Sequence, residues 1–141
     1  KEFIFDPYQV VEARASGADA ILLIASMLTC EEMQNLKKVA DGLWMQAIFE
    51  VHDEEELNDV IACNAEIIGI NNRNLHTFVT DIEVTERLAP LIPSGKIIVS
   101  ESGISGPEDL SRIADAGAHC VLIGETLVTA DDPGVKLRQL A

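Results

Sequence analysis

Basic residues are scarce in this chain: ten Lys and Arg stand against 24 Asp and Glu, a formal charge of −14 over 141 residues. Phosphate backbones recruit Lys and Arg clusters, so this balance argues against a nucleic-acid partner. Long apolar runs are missing too. None approaches the roughly 20 residues of a membrane span and nothing resembles a signal peptide, so a cytoplasmic protein without a membrane partner is expected. Cysteine is sparse and odd in number, and Cys30, Cys63 and Cys120 lie far apart. That predicts reduced, mostly buried thiols. No cysteine pair has zinc spacing, His52, His76 and His119 are not at metal-ligand spacing, and no Ser-His-Asp order stands out. The three histidines therefore read as structural or surface residues, with His119 at a strand start. An initiator methionine is also absent: the chain opens at Lys1 and runs straight into "EFIF", which reads as the middle of a domain.

What is present is one domain's worth of ordinary globular sequence, 48% apolar and 24% charged. It carries an internal echo. "GADAILLIAS" (17–26), "NAEIIGINNR" (64–73) and "GAHCVLIGET" (117–126) each open with Gly or Asn, which tolerate the left-handed conformation at a helix end. Ala follows, then a polar residue, then a short β-branched and aliphatic run suited to a parallel strand covered on both faces. "WMQAIFEV" (44–51) and "KIIVSES" (96–102) add two strands, with Trp44 and Met45 expected in the core.

Helix starts follow the strands. Asp6 before Pro7 and Asp132 before Pro133 place a cap ahead of a first-turn proline. Thr29–Glu32, Asp53–Glu56, Thr80–Glu83 and Ser105–Glu108 have capping-box spacing. Amphipathic segments such as "EELNDVIACN" and "PEDLSRIADAG" come next. The order strand, loop, helix, turn predicts an α/β fold of parallel strands with right-handed crossovers. A doubly wound sheet and a (β/α)8 barrel both satisfy it. The first normally carries a Gly-x-Gly-x-x-Gly turn, which is absent. Polar residues gather instead at several strand ends, the arrangement of a barrel. A whole barrel takes about 250 residues, so residues 1–141 should be a partial barrel.

Side chains alternate along a strand. Glu50 shares a face with Ile48, Asn71 with Ile67 and Gly69, and Glu101 with Ile97 and Val99. Two carboxylates and an amide are thus expected at one mouth, with Arg73 in the adjoining loop. A single strand-end Glu is more often a solvated rim residue; three strands ending alike favour function. Gly103 and Gly124 directly follow the last two strands, where backbone N–H groups can approach an anion without net positive charge.

With these motifs in hand, the chain resembles the indole-3-glycerol phosphate synthase family. The stretches that carry the resemblance are "KEFIFDPYQVVEARASGADAILLI", "EVHDEEEL", "IIGINNRNLHTF", "TERLAPLIP", "SESGIS" and "IGETLV". They run in the family's order over essentially the whole chain. The resemblance implies a C-terminal fragment of the (β/α)8 TIM barrel, from the end of the third strand through the eighth helix. It also turns Phe3–Phe5 from a strand into a loop. The implied reaction closes an indole ring on 1-(2-carboxyphenylamino)-1-deoxyribulose 5-phosphate with loss of carbon dioxide and water, without a cofactor. By resemblance Lys1 is the general acid and Glu50 the acid–base carboxylate of the later steps. Asn71 positions substrate groups and Glu101 belongs to the active-site shell. Arg73, Ser102, Gly103, Gly124 and Glu125 surround the phosphate; Phe3, Leu22 and Leu75 line the pocket for the aromatic ring. Glu2 stands where the family usually has Asp, and Thr129 where a basic residue is common.

Two other readings compete. One is another phosphate-binding barrel, such as phosphoribosylanthranilate isomerase, which shares the glycine signals but gives no reason for "EVHDEEEL" beside "GINNRNL". The other is a half-barrel binding or assembly module whose open sheet edges drive self-association. On the fragment reading, the isolated chain is expected to have negligible activity.

Overall fold

The computed structural model describes residues 2–140. Five strands alternate with helices: α1 (Pro7–Ala15), β1 (Ala20–Ile24), α2 (Cys30–Gly42), β2 (Gln46–Val51), α3 (Glu54–Ala62), β3 (Ile67–Asn71), α4 (Glu83–Leu88), β4 (Ile97–Glu101), α5 (Pro107–Asp115), β5 (Cys120–Leu122), α6 (Glu125–Val128) and α7 (Pro133–Leu140). The strands follow chain order in one sheet. This is the α/β series that the sequence predicts, and residues 3–5 precede α1 without forming a strand. Gln9 holds that loop, donating from Nε2 to Phe3 O and accepting at Oε1 from Phe5 N and Asp6 N. No helix among the described residues is long and apolar enough to cross a membrane.

The chain divides into two compact units, Lys1–Ile68 and Gly69–Ala141. In the first, β1 and β2 pair in parallel from Ala20 opposite Gln46 to Ile24 opposite Glu50. Their apolar residues pack with Met33, Leu36 and Ala40, one stripe of α2 at helical spacing, and with Leu57 and Val60 of α3. In the second, β4 pairs with β5 from Val99–Cys120 to Glu101–Leu122. Ile82, Ile104 and Ile113 form a buried cluster there, with Leu110, Ala118 and Ile123 against it.

The echoed Gly/Asn-Ala segments terminate helices as expected. Gly17, Asn64 and Gly117 all have positive φ. Each donates three residues back, and the following Ala donates five residues back, as in Ala18 N to Ala13 O at 3.0 Å. Trp44 closes α2 in the same way at φ 59°, donating to Asp41 O while Met45 N donates to Ala40 O. This corrects the expectation that Trp44 fills the core: its αL backbone turns the indole outward, and it is 91% exposed. Met45, one residue later, is buried as expected.

The caps hold in part. Asp6 caps α1 with Gln9 and Thr29 caps α2 with Glu32, while the Asp132 side chain accepts from Val135 N near the start of α7. Asp53 accepts from Glu56 N. The other two boxes shift. Asp81, not Thr80, accepts from Glu83 N. Asp109, not Glu108, reaches back to Ser105 N and Gly106 N, because a proline at the first helical position moves the cap to Gly106. The reduced-thiol expectation also fails. Cys30 at the start of α2 and Cys63 at the end of α3 form a disulfide with Cα atoms 5.6 Å apart. Their 33-residue separation conceals the pairing. Cys120 is free but exposed, on β5 at the end of the strand order.

Within the second unit, Asn72 is a buried hub. Its Oδ1 accepts from Thr85 N (3.1 Å) and Thr85 Oγ1 (2.8 Å); its Nδ2 donates to Ser100 Oγ and Ser102 O, both at 3.0 Å. Its backbone N donates to Glu101 O and its carbonyl accepts from Asp81 N. The end of β3, the end of β4 and the start of α4 are thereby fixed to one amide. Truncating it strands buried donors and acceptors, which costs about 1–3 kcal/mol for each group left unpaired. Asn72→Ala is expected to lower unfolding free energy by about 2–4 kcal/mol in urea titrations followed by circular dichroism; a loss below about 0.5 kcal/mol would contradict this role.

Candidate active site

Each expected strand-end residue lies at or next to the end of its strand. Glu50 is next to last in β2, Asn71 closes β3 and Glu101 closes β4. Glu50 and Glu101 are nearly fully buried, at 4% and 3% exposure, so neither is a solvated rim residue. Asn71 is half-buried, and its Oδ1 accepts from Arg73 N at 3.0 Å. Lys1 lies outside the described residues.

The first unit surrounds Glu50 with chemistry that the sequence reading overlooked. His52 Nε2 stands 3.3 Å from Glu50 Oε1, an ion-pair distance without hydrogen-bond geometry. On its other side, His52 Nδ1 lies 3.1 Å from Glu56 Oε2, and the same oxygen accepts from His52 N at 2.8 Å. Burial works to lower the His52 pKa, but the Glu50 and Glu56 carboxylates outweigh it and raise it from 6.5 to about 9. His52, expected as a structural or surface residue, thus lies between two carboxylates. The spacing Glu50-x-His52-x-x-x-Glu56 held the clue: period two to the strand end, four residues into the helix start. Leu22 of β1 is half-buried, while Phe3 is exposed.

The second unit holds a cavity of about 480 Å³ lined by Thr80, Gly103, Ser105, Glu125, Thr126, Thr129, Ala130 and Lys136. Of the expected phosphate residues, Gly103 and Glu125 line it. Arg73 reaches it by pairing through NH2 with the Glu125 carboxylate, and Arg73 Nε is buried without a hydrogen-bond partner among the described residues. Ser102 and Gly124 flank the lining residues in sequence. Leu75 sits 41% exposed in the loop after β3 and is not among the lining residues. Sequence reasoning missed Thr80, Ser105, Thr126 and Lys136. Thr80 arrives through a short antiparallel bridge to Arg73, and Lys136 from α7, where it donates to Ser105 O at 2.8 Å. In so acidic a chain each Lys on a loop-facing helix was a signal worth pursuing.

The loop after β4 is shaped by backbone. Ser102 and Gly103 both have positive φ, 66° and 75°. Such a conformation in a non-glycine residue is uncommon and persists only where its surroundings enforce it; Asn72 does so through Ser102 O. A Cβ on Gly103 would meet Thr80 Cβ at 3.2 Å as well as an unfavourable φ. Gly103→Ala is therefore expected to cost at least about 1 kcal/mol in unfolding free energy, measured by urea titration. A neutral or stabilising result would contradict the geometry. His52 supplies a pH signature. Its folded pKa lies above the ordinary value, so its stabilisation is complete below pH 6.5 and lost as pH rises through about 9. Unfolding free energy should fall across that window by up to roughly 3 kcal/mol, and His52→Gln should flatten the fall.

The family model for indole-3-glycerol phosphate synthase matches residues 1–140. Indole-3-glycerol phosphate synthase of Dehalococcoides mccartyi is 51% identical over 140 residues, covering 99% of this chain and 54% of the relative. That of Carboxydothermus hydrogenoformans is 48% identical over 141 residues, covering 99% and 53%. The chain thus spans about half the length of the curated relatives it matches. Among solved structures, 3-hexulose-6-phosphate synthase from Salmonella typhimurium aligns with a TM-score of 0.81 at 16% identity, over 97% of this chain and 67% of that one. That likeness speaks for the fold alone, the strand–helix series of TIM-barrel enzymes. Sequence and fold agree, and the chain belongs to the indole-3-glycerol phosphate synthase family.

Proposed function

We propose that this chain contributes to the closure of the indole ring of 1-(2-carboxyphenylamino)-1-deoxyribulose 5-phosphate, with loss of carbon dioxide and water. The reaction protonates a ketone as the aryl carbon attacks, expels a hydroxyl and removes a proton, so it needs an acid, a carboxylate base and an anion holder. Glu50 is the acid–base carboxylate of the later steps, and Lys1 the general acid by family resemblance. Asn71 orients substrate polar groups, and Glu101 belongs to the surrounding shell. Leu22, Phe3 and Leu75 are assigned to the aromatic ring.

The observation that carries this reading is the cavity beside Gly103 and Glu125. It offers a cation, Lys136, and hydroxyls from Thr80, Ser105, Thr126 and Thr129. The Glu125 carboxylate, which would repel phosphate, is already paired with Arg73. Phosphate is held there with Ser102 and Gly124 in the flanking loops, and Lys136 stands in for the basic residue that the family commonly has at Thr129. The family match does not favour an isomerase or a non-enzymatic module.

The test is a chimera in which this chain replaces the matching C-terminal segment of the Dehalococcoides mccartyi relative, assayed for indole-3-glycerol phosphate. Turnover is expected. Glu50→Gln should lower kcat about 10²–10⁴-fold. Lys136→Met should raise KM about 10–100-fold, as loss of a charge-assisted hydrogen bond requires, with little change in kcat. A folded chimera that makes no product would overturn the proposal.

A further inference from the structure

Glu50 poses a physical problem that the proposed reaction leaves open. A carboxylate only 4% exposed loses most of its hydration, and burial favours its neutral form. An acid–base group must hold a defined charge and a fixed direction. The first unit contains a device suited to both tasks, built from residues with no assigned role.

The device is a carboxylate–imidazole–carboxylate row. Glu56, in the first turn of α3, uses one oxygen to accept from both the backbone N and the ring Nδ1 of His52. Those two contacts, 2.8 and 3.1 Å, fix the plane of the ring and leave Nε2 at ion-pair distance from Glu50 Oε1, 3.3 Å away. Glu56 is itself anchored, since its backbone N donates to the Asp53 side chain at 2.9 Å and the start of α3 favours negative charge. Glu50 from β2 and Glu56 from α3 are the carboxylates that face the ring.

We propose that His52, oriented by Glu56, is a positioning residue that holds the Glu50 carboxylate ionised and aimed for proton transfer. The raised His52 pKa agrees with this, because an imidazolium between two carboxylates is charged throughout the neutral range. A purely structural bond at the start of α3 would need the His52 backbone N–H and not its Nε2.

The inference rests on the proposed acid–base role of Glu50, and two measurements separate its failure from failure of that role. In the chain itself, NMR should follow the Glu50 side-chain carboxyl carbon and the His52 ring nitrogens as pH changes. His52→Asn should raise the Glu50 midpoint by at least one pH unit, and Glu56→Gln should lower that of His52 by at least one. An unchanged Glu50 midpoint in His52→Asn overturns the proposal, whatever the enzyme's substrate. In the chimera, His52→Asn should reduce kcat at least tenfold, leave KM within about twofold and move the acidic limb of the kcat profile upward. Glu56→Gln, which retains a hydrogen-bonding oxygen near the His52 backbone, should do the same more weakly and guards against a folding defect in the first variant. Equal losses in kcat at every pH would mark a merely structural contact and overturn the proposal. If the wild-type chimera gives no product, the functional reading fails while the NMR titrations still decide the His52–Glu50 coupling.

Discussion

Asn72 spends its side-chain amide, its N–H and its carbonyl inside the protein, and the second unit's candidate site depends on that expenditure. An amide has two donor hydrogens and an acceptor oxygen, so a single residue can satisfy a hydroxyl, a backbone carbonyl and a helix-start N–H together. Here it ties Ser100 and Ser102 of the β4 region to Thr85 of α4. The bond to Ser102 O holds a serine in a backbone region that it would otherwise avoid. Gly103 then turns beside Thr80, and the cavity has a wall. A hydrophobic residue of similar size could fill the volume of Asn72, but it could not hold that loop.

The two units solve the same problem by opposite means. In the second, the network around Asn72 is neutral: Asn72, Thr85 and Ser100 share hydrogen bonds without formal charge. In the first, buried polarity is ionic, with Glu50 against His52 and His52 against Glu56. Neutral networks give rigidity at modest desolvation cost, whereas buried ion pairs are costly to assemble and sensitive to proton concentration. Rigidity suits an anion-holding loop. Sensitivity to protons suits a group that must exchange them.

Much of this was legible in the sequence, and the failures share a cause. The Gly17, Asn64 and Gly117 turns, the five strands and the strand-end positions of Glu50, Asn71 and Glu101 follow from local rules of backbone and alternation. Of the other amides around Arg73, sequence alone could not distinguish the buried hub Asn72 from Asn74, whose side chain accepts from His76 N and Thr77 N in the next turn. That distinction depends on partners some thirty residues away. The Cys30–Cys63 pairing and the arrival of Lys136 beside Ser105 are likewise long-range facts without a local signature. Trp44 failed differently: a large apolar residue reads as core, yet its position demanded αL backbone, and geometry overrode hydrophobicity.

That exposed indole has a practical corollary. Trp44 is the sole tryptophan of the chain and is already bathed in water in the native state. Its emission should barely distinguish folded from denatured molecules, so intrinsic fluorescence is a nearly silent reporter here. The same silence makes the site useful, because a dye or quencher attached near residue 44 would sense encounters with other molecules without disturbing the interior.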